Sequence, residues 1–470
     1  MAQAQNYIIS ASVDQIDAAF ENFGQQYPSL DKPFNPTAPS EAISLSPEVV
    51  RCSSLIVAAC GHLSANVNVP AMSIYATAGG FHVSAALGAA LEGNTVEILR
   101  DHPSGLSIYD ISAQNGMDPI HLGRILRLLA THHIFIEITP NVFKNNRLSS
   151  MMDTLKTVNE IQSDPENKHV GTPGMSALIE HTCDEIMKGA SFLTEFLTDP
   201  VMGSSGAQEH SPMGVAFKYN KPSWEWYENP GNEYRVKRFM AAMEGSTKFD
   251  PPNAILQGFD WGSLPSKALV VDVGGGMGHT TKKICEAYPD LKYVVQDRPM
   301  VIEQGRSKFW RNEFSEALSD GSVVLQAHDF LTEQLILHAN VFLCRMILHD
   351  YGRSMAKVIL QHLRDAASQD TKLLIVDTIV PYACLDESQM EAGRGIPGME
   401  FPQPPAPLLA NLGKANAIPY IADFQMLVGF NGEERTIGTF TELLYESGWK
   451  ITRVFTIPGS IHKQILAVVA

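Results

Sequence analysis

Two groups of residues in this chain have the types and spacing to do chemistry. The first is Val270-Val271-Asp272-Val273-Gly274-Gly275-Gly276-Met277-Gly278, followed by Val294-Val295-Gln296-Asp297. A glycine turn lets a ligand lie against the main chain, because no Cβ stands in the way. A helix beginning near Gly278 would aim free N–H groups and a positive dipole end into the same space. A carboxylate at the next strand's end, Asp297, would offer two acceptors to a ribose diol. The second group is Leu348-His349-Asp350-Tyr351, at the end of the apolar run Asn340-Val-Phe-Leu-Cys-Arg345. An imidazole titrating near pH 6.5 can take the proton of a weakly acidic hydroxyl. A buried core histidine is the commoner fate of such a residue. Its place at a strand's carboxyl end, beside the crevice the glycines define, favours catalysis here.

The phase of the glycines narrows the ligand. The dinucleotide fingerprint Gly-x-Gly-x-x-Gly needs its third glycine where His279 stands. The spacing is instead Asp272-x-Gly274-x-Gly276-x-Gly278, which resembles motif I of S-adenosylmethionine-dependent methyltransferases. The loop alone leaves both cofactor classes open.

The elements that position these groups follow from composition and pattern. A chain of 470 residues, 44% hydrophobic and 18% charged, is expected to form two or three well-buried globular domains. A net charge of −16 argues against a nucleic-acid or anionic-membrane binder. The N-terminus lacks a basic n-region and an unbroken apolar core, so a cytoplasmic protein is expected. Cys52 to Leu91 contains no Asp, Glu, Lys or Arg, but His62, Asn66, Asn68, Pro70, Gly79, Gly80 and His82 interrupt it. A buried helical layer at a subunit interface is the expectation, not a membrane span. The six cysteines form no C-x-x-C pair, so no metal site is expected.

Along the chain, residues 1–45 read as an amphipathic helix and a proline-rich arm. Residues 46–165 carry helices at 47–69 and 79–92, then helix–turn–helix through Gly116 and Asp118-Pro119, then the hairpin Ile134–Phe143. That order predicts a winged-helix domain. With only Arg124 and Arg127 on the would-be recognition helix, it reads as structural or dimerising, not DNA-binding. Residues 166–255 form a helical linker with a Gly/Ser/Pro-rich loop at 199–214, in which Phe239 and Met243 share a helix face. From 256 to 470, strands at 268–273, 292–296, 322–326, 340–344, 372–377 and 463–469 alternate with helices, predicting a mostly parallel sheet. A Pro/Gly-rich insertion at 381–420 interrupts them as a lid or surface loop.

Further signatures follow: Ala327-His-Asp329-Phe330, Ile375-Val-Asp377, Asp423-Phe-Gln-Met426 and Gly432-Glu-Glu434-Arg435-Thr436. In this order, from about residue 75 to the C-terminus, the set resembles the caffeate-type plant and fungal small-molecule O-methyltransferases. The resemblance implies an α/β fold: a Rossmann-like methyltransferase domain with a mostly parallel sheet, plus an N-terminal all-α winged-helix dimerisation domain whose swapped arm closes the partner's site. It implies that Gly274, Gly275 and Gly276 line an S-adenosylmethionine site, that Asp297 holds the ribose, and that Asp329 and Phe330 flank the adenine. Arg345 stands where the family usually has Lys and would contribute its backbone carbonyl. His349 matches the general base, with Asp377 and Glu434 bracketing it. Asp377 is one methylene shorter than the plant glutamate. Phe239, Met243, Met346, Asp350 and Met426 match acceptor-pocket positions.

The activity this implies is methyl transfer to a phenolic hydroxyl of a small aromatic or secondary metabolite, in a homodimer. The many Met and aromatic side chains suit a flat acceptor. One alternative keeps fold and cofactor but performs dehydration or pericyclic ring closure, with the sulfonium as a fixed charge. Members of that kind tend to have lost the base histidine, which this chain retains. A remoter alternative is a winged-helix DNA-binding regulator.

Overall fold

Val270, Val271 and Val273 are all buried, as a strand covered on both faces requires. They lie in the strand Leu269–Val273 of the computed structural model of the protein, which describes residues 2–385, 395–399 and 403–470. The chain divides into two compact units: Met1–Gly203 with Ser211–Phe249, and Ser204–His210 with Asp250–Ala470.

The first unit is mainly helical. Its opening helix, Ala2–Glu21, packs Ile16 and Phe20 against Val49 and Cys52 of the helix Pro47–Val67. The expected helix–turn–helix is present as Ile108–Asn115 and Pro119–Thr131. Gly116 at φ +74° ends the first, and the Asp118 side chain accepts the His121 N–H to cap the second. The unit is not all-α. β1 (Leu106–Ser107), β2 (Ile136–Thr139) and β3 (Val142–Lys144) form an antiparallel sheet in the order β1-β3-β2.

The charge-free stretch is helical but not wholly buried within one chain. A further helix, Pro70–Ala78, precedes Phe81–Glu92, and it buries none of its residues. Met72, Ile74 and Tyr75 are 61, 72 and 80% exposed, so this part of the stretch is not a buried layer within one chain. Together Pro70–Glu92 is long and apolar enough by composition to cross a membrane, although Gly79 and Gly80 divide it into two helices.

The second unit is built on seven strands: β4 (Leu269–Val273), β5 (Lys292–Asp297), β6 (Val323–Ala327), β7 (Val341–Arg345), β8 (Lys372–Thr378), β9 (Trp449–Thr456) and β10 (His462–Val469). Their order is β6-β5-β4-β7-β8-β10-β9. The first five are parallel, and β10 pairs antiparallel with both β8 and β9. On one face the helix Arg353–Ala366 buries Ala356, Ile359, Leu360 and Leu363, spaced as one stripe, beside Phe440 and Leu443. On the other, Ile284, Phe309, Trp310 and Trp261 cover Val270 and Val295. The chain runs outward from β4 through β5 to β6, then returns to the opposite side of β4 as β7. The crevice beyond the carboxyl ends of β4 and β7 is therefore the topological switch point, where open α/β sheets bind ligands. Of the 381–420 insertion, residues 386–394 and 400–402 lie outside the described residues.

Candidate active site

The glycine loop leaves β4 at the switch point. Gly274, Gly276 and Gly278 have φ of +68, +61 and +92°, the left-handed region that only glycine adopts without penalty. At Gly274 a Cβ would come 2.4 Å from Ile347 Cδ1 and 3.2 Å from the Phe330 ring. At Gly276 it would meet nothing within 4 Å, so its main chain faces open space. The Gly275 N–H donates to the Gln296 carbonyl at 3.0 Å, tying the loop to β5. The helix His279–Ala287 follows with Gly278 as its cap.

Asp297 ends β5, and one of its carboxylate oxygens accepts the Gly276 N–H at 2.8 Å. Burial raises its pKa, opposed by hydrogen bonds from the Arg298 and Gly276 N–H groups. Asp272, wholly buried and accepting the Thr281 hydroxyl at 2.5 Å, is pushed up to about 6 by the same desolvation. Asp329 and Phe330 follow β6. Asp329 caps the Leu331 N–H at 3.0 Å, and the Phe330 ring stands edge-on to Tyr351 at 5.7 Å. These features fit a bound nucleoside: main chain open at Gly276, a fixed carboxylate for a diol, and an aromatic wall. Gly274, Gly275, Gly276, Asp297, Asp329 and Phe330 therefore come together around one crevice. Arg345 ends β7 beside it, its guanidinium 3.6 Å from Asp250.

After β7 the chain turns through Met346, a non-glycine residue at φ +55° whose N–H donates to the Val376 carbonyl at 3.0 Å. Such backbone costs on the order of 1–3 kcal/mol and persists where the surroundings enforce it. The turn delivers His349 on a short 3-10 segment, Leu348–Asp350. The imidazole is 6% exposed, and Nδ1 donates to Glu434 Oε1 at 2.8 Å. That bond puts the proton on Nδ1 and leaves Nε2 as the basic atom of the neutral ring. Nε2 lies 3.6 Å from Asp350 Oδ1, beyond hydrogen-bond range. Burial alone would lower the His349 pKa, but the charges of Glu434 and Asp350 and the bond to Glu434 outweigh it and raise the pKa well above the usual range.

Asp377 faces the ring by charge, without a hydrogen bond to it. It is fully buried at the end of β8, and neither carboxylate oxygen has a hydrogen-bond partner among the described residues. Burial, with repulsion from Glu434 and Asp350, pushes it up to about 7 against the attraction of His349 and Arg435. Among the described residues, Glu434 is the hydrogen-bond partner of the imidazole. Asp350, buried beside it, is pushed up to about 6 chiefly by desolvation. Met426 lies on the helix Ala417–Phe430, whose last turn leads to Gly432 and Glu434. Phe239 and Met243 lie in the first unit on the helix Glu233–Ser246. There Phe239 packs against Tyr227 at 5.1 Å and edge-on to His181 at 5.4 Å, and Met243 packs against Ala177 and Leu178.

Two positioning residues carried no assigned role in the sequence reading. Arg435, 1% exposed, donates to the carbonyls of Leu348 (2.7 Å) and Tyr351, holding the His349 turn from both sides. The Glu-Arg-Thr motif contained the signal. Trp310 donates its indole N–H to the Met277 carbonyl at 2.7 Å and lies 2.8 Å from where a Gly278 Cβ would stand. It thus braces the glycine loop from beneath, and no local pattern announces it.

Comparison with known proteins places this geometry. Residues 210–393 match the family model of the O-methyltransferase domain, and residues 75–154 match that of the O-methyltransferase dimerisation domain. An O-methyltransferase of Armillaria gallica is 39% identical over 97% of this chain and 95% of its own length. The chain belongs to the O-methyltransferase family. Likewise, 4-O-methyltransferase 1 of Phanerochaete chrysosporium is 39% identical over 94% of this chain and 93% of its own. The fold recurs in a solved pericyclic reaction enzyme, with a TM-score of 0.66 and 18% identity over 89% of this chain and 94% of that one. That likeness shows the fold and not the reaction. Enzymes of this family draw their methyl group from S-adenosylmethionine, and the glycine loop, Asp297, Asp329 and Phe330 are the residues that would hold it.

Proposed function

We propose that this O-methyltransferase is a homodimer that methylates a phenolic hydroxyl of a small aromatic or secondary metabolite, with His349 as general base. The observation that carries this reading is the placement of a buried imidazole, oriented by Glu434 at 2.8 Å, beside the glycine loop at the switch point of the sheet. Bound S-adenosylmethionine supplies an electrophilic methyl on a sulfonium. A phenol titrating near pH 10 attacks such a centre poorly while it keeps its proton. His349 Nε2 takes that proton, and Glu434 steadies the imidazolium. At neutral pH the raised pKa leaves the resting imidazole protonated. Neutral imidazole with phenol, and imidazolium with phenolate, are the same ionisation state of the complex, one proton poorer than resting enzyme plus phenol. A positioned base of this kind contributes roughly 10²–10⁴-fold. Alignment of oxygen and methyl contributes on the order of 7–11 kcal/mol of the barrier.

The dimer is supported by the dimerisation domain and by the exposed Met72, Ile74 and Tyr75, which a second copy would cover. The test is turnover of a panel of phenols by the wild type and His349→Ala. The expected result is a methylated product from the wild type. The variant should lose 10²–10⁴-fold in kcat while binding S-adenosylhomocysteine as before. Full turnover by His349→Ala would remove the base assignment.

A further inference from the structure

The chain leaves the first unit after Gly203, contributes seven residues, Ser204–His210, to the second, and returns to the first at Ser211. Apart from His210, this segment precedes the residues matched by the O-methyltransferase domain. By sequence it is only part of a Gly/Ser/Pro-rich loop.

Its contacts converge on the His349 turn. The four carbonyls of residues 348–351 must each find a donor or meet water. Arg435 takes those of Leu348 and Tyr351, and the Glu433 N–H takes that of His349 at 2.9 Å. The fourth, Asp350, accepts the side-chain amide of Gln208 at 2.9 Å, a buried bond between residues 142 apart in sequence. The other fastening is Asn431, which ends the helix Ala417–Phe430 at φ +55° just before Gly432-Glu433-Glu434. Its amide donates to the carbonyls of Ser205 (2.6 Å) and Ala207 (3.1 Å). Between the two, Gly206 lies against Gly352 so closely that a Cβ there would stand 3.3 Å from the Gly206 carbonyl oxygen. The segment therefore joins the turn that carries His349 to the corner that leads into Glu434, the two partners of the orienting hydrogen bond.

We propose that Ser204–His210 is a positioning strap that holds the His349 imidazole against Glu434, with Gln208 and Asn431 as its fastenings. Neither residue acts on the acceptor itself. The proposal rests on His349 being the base.

The test uses full-length Gln208→Ala, which removes the donor to Asp350, and Asn431→Gly, which removes both amide bonds while glycine keeps the left-handed backbone. Each is expected to lower kcat for a phenol by at least tenfold. Affinity for S-adenosylhomocysteine should stay within twofold. The acid limb of kcat/KM should move to lower pH, because an imidazole freed from Glu434 loses the charge that favours its protonated form. An unchanged kcat or an unmoved limb in both variants overturns the proposal. Loss of folding or of S-adenosylhomocysteine binding in both overturns it too, since the strap would then hold the unit together and not the ring. His349→Ala measured alongside separates the two readings. If it keeps full turnover, the base assignment fails. If it is inactive while both strap variants behave as wild type, only the strap fails.

Discussion

Replacing Glu434 by Gln tests the electrostatics of the site most sharply, because it keeps the size and the carbonyl acceptor and removes only the charge. The carboxylate accepts from His349 Nδ1 at 2.8 Å in a site where both residues are buried. With charge centres ~4 Å apart and an effective dielectric near 20, the lost attraction is about 4 kcal/mol. That is roughly a thousandfold in the protonation equilibrium of the imidazole. Asp350 and Asp377 remain nearby and sustain part of the elevation. His349 is raised, so the competent ionisation state accumulates only as pH climbs through that raised value, and kcat/KM of the wild type rises with pH above neutrality. In Glu434→Gln the limb should fall by about one to three pH units. At the same time kcat should drop by about 10²-fold, because the imidazolium formed on proton transfer loses its counter-charge. The assay is kcat/KM from pH 6 to 10 against one phenol at saturating S-adenosylmethionine, with S-adenosylhomocysteine affinity as the control. A limb that stays in place, or moves upward, refutes the His349–Glu434 pairing as the source of the base's ionisation.

Three further outcomes follow from the same geometry. Gly276→Ala introduces a Cβ at φ +61° and aims it at the open side of the loop. It should weaken S-adenosylhomocysteine binding at least tenfold by calorimetry, on top of about 1–2 kcal/mol of backbone penalty. Trp310→Phe keeps the ring beneath Gly278 but deletes the donor to Met277, so binding of the same ligand should weaken by about 2–10-fold, the range of one hydrogen bond, with kcat at saturation unchanged. Tyr75→Asp places a charge on an 80%-exposed apolar position and should shift the light-scattering mass from dimer towards monomer. An unaltered mass would move the interface elsewhere.

Much of the catalytic unit is legible in the sequence because parallel strands buried on both faces read as unbroken apolar runs. The six expected strands begin and end within one residue of β4–β8 and β10. β9 was not expected. Lys450, Thr452 and Arg453 face solvent on this edge strand, and the register shift opposite Leu466 and Ala467 breaks its alternation. The glycine loop and His349 were legible because each joins a strand end to a residue type with few structural uses there. Gln208, Asn431 and Trp310 were not, since each donates a side-chain hydrogen bond to a carbonyl 142, 226 and 33 residues away, with no periodicity to mark it. The exposed helix Pro70–Ala78 marks a different limit, because composition reports that a surface is apolar but not what covers it.

Methyl transfer to a phenol is tested by supplying S-adenosylmethionine carrying a trideuterated methyl and following that label into a phenolic acceptor. The expected product is heavier by one trideuteromethyl group, bonded to the former phenolic oxygen in its NMR spectrum, with one S-adenosylhomocysteine formed per product. A rearranged product of unchanged mass, formed without consuming the cofactor, would contradict methyl transfer.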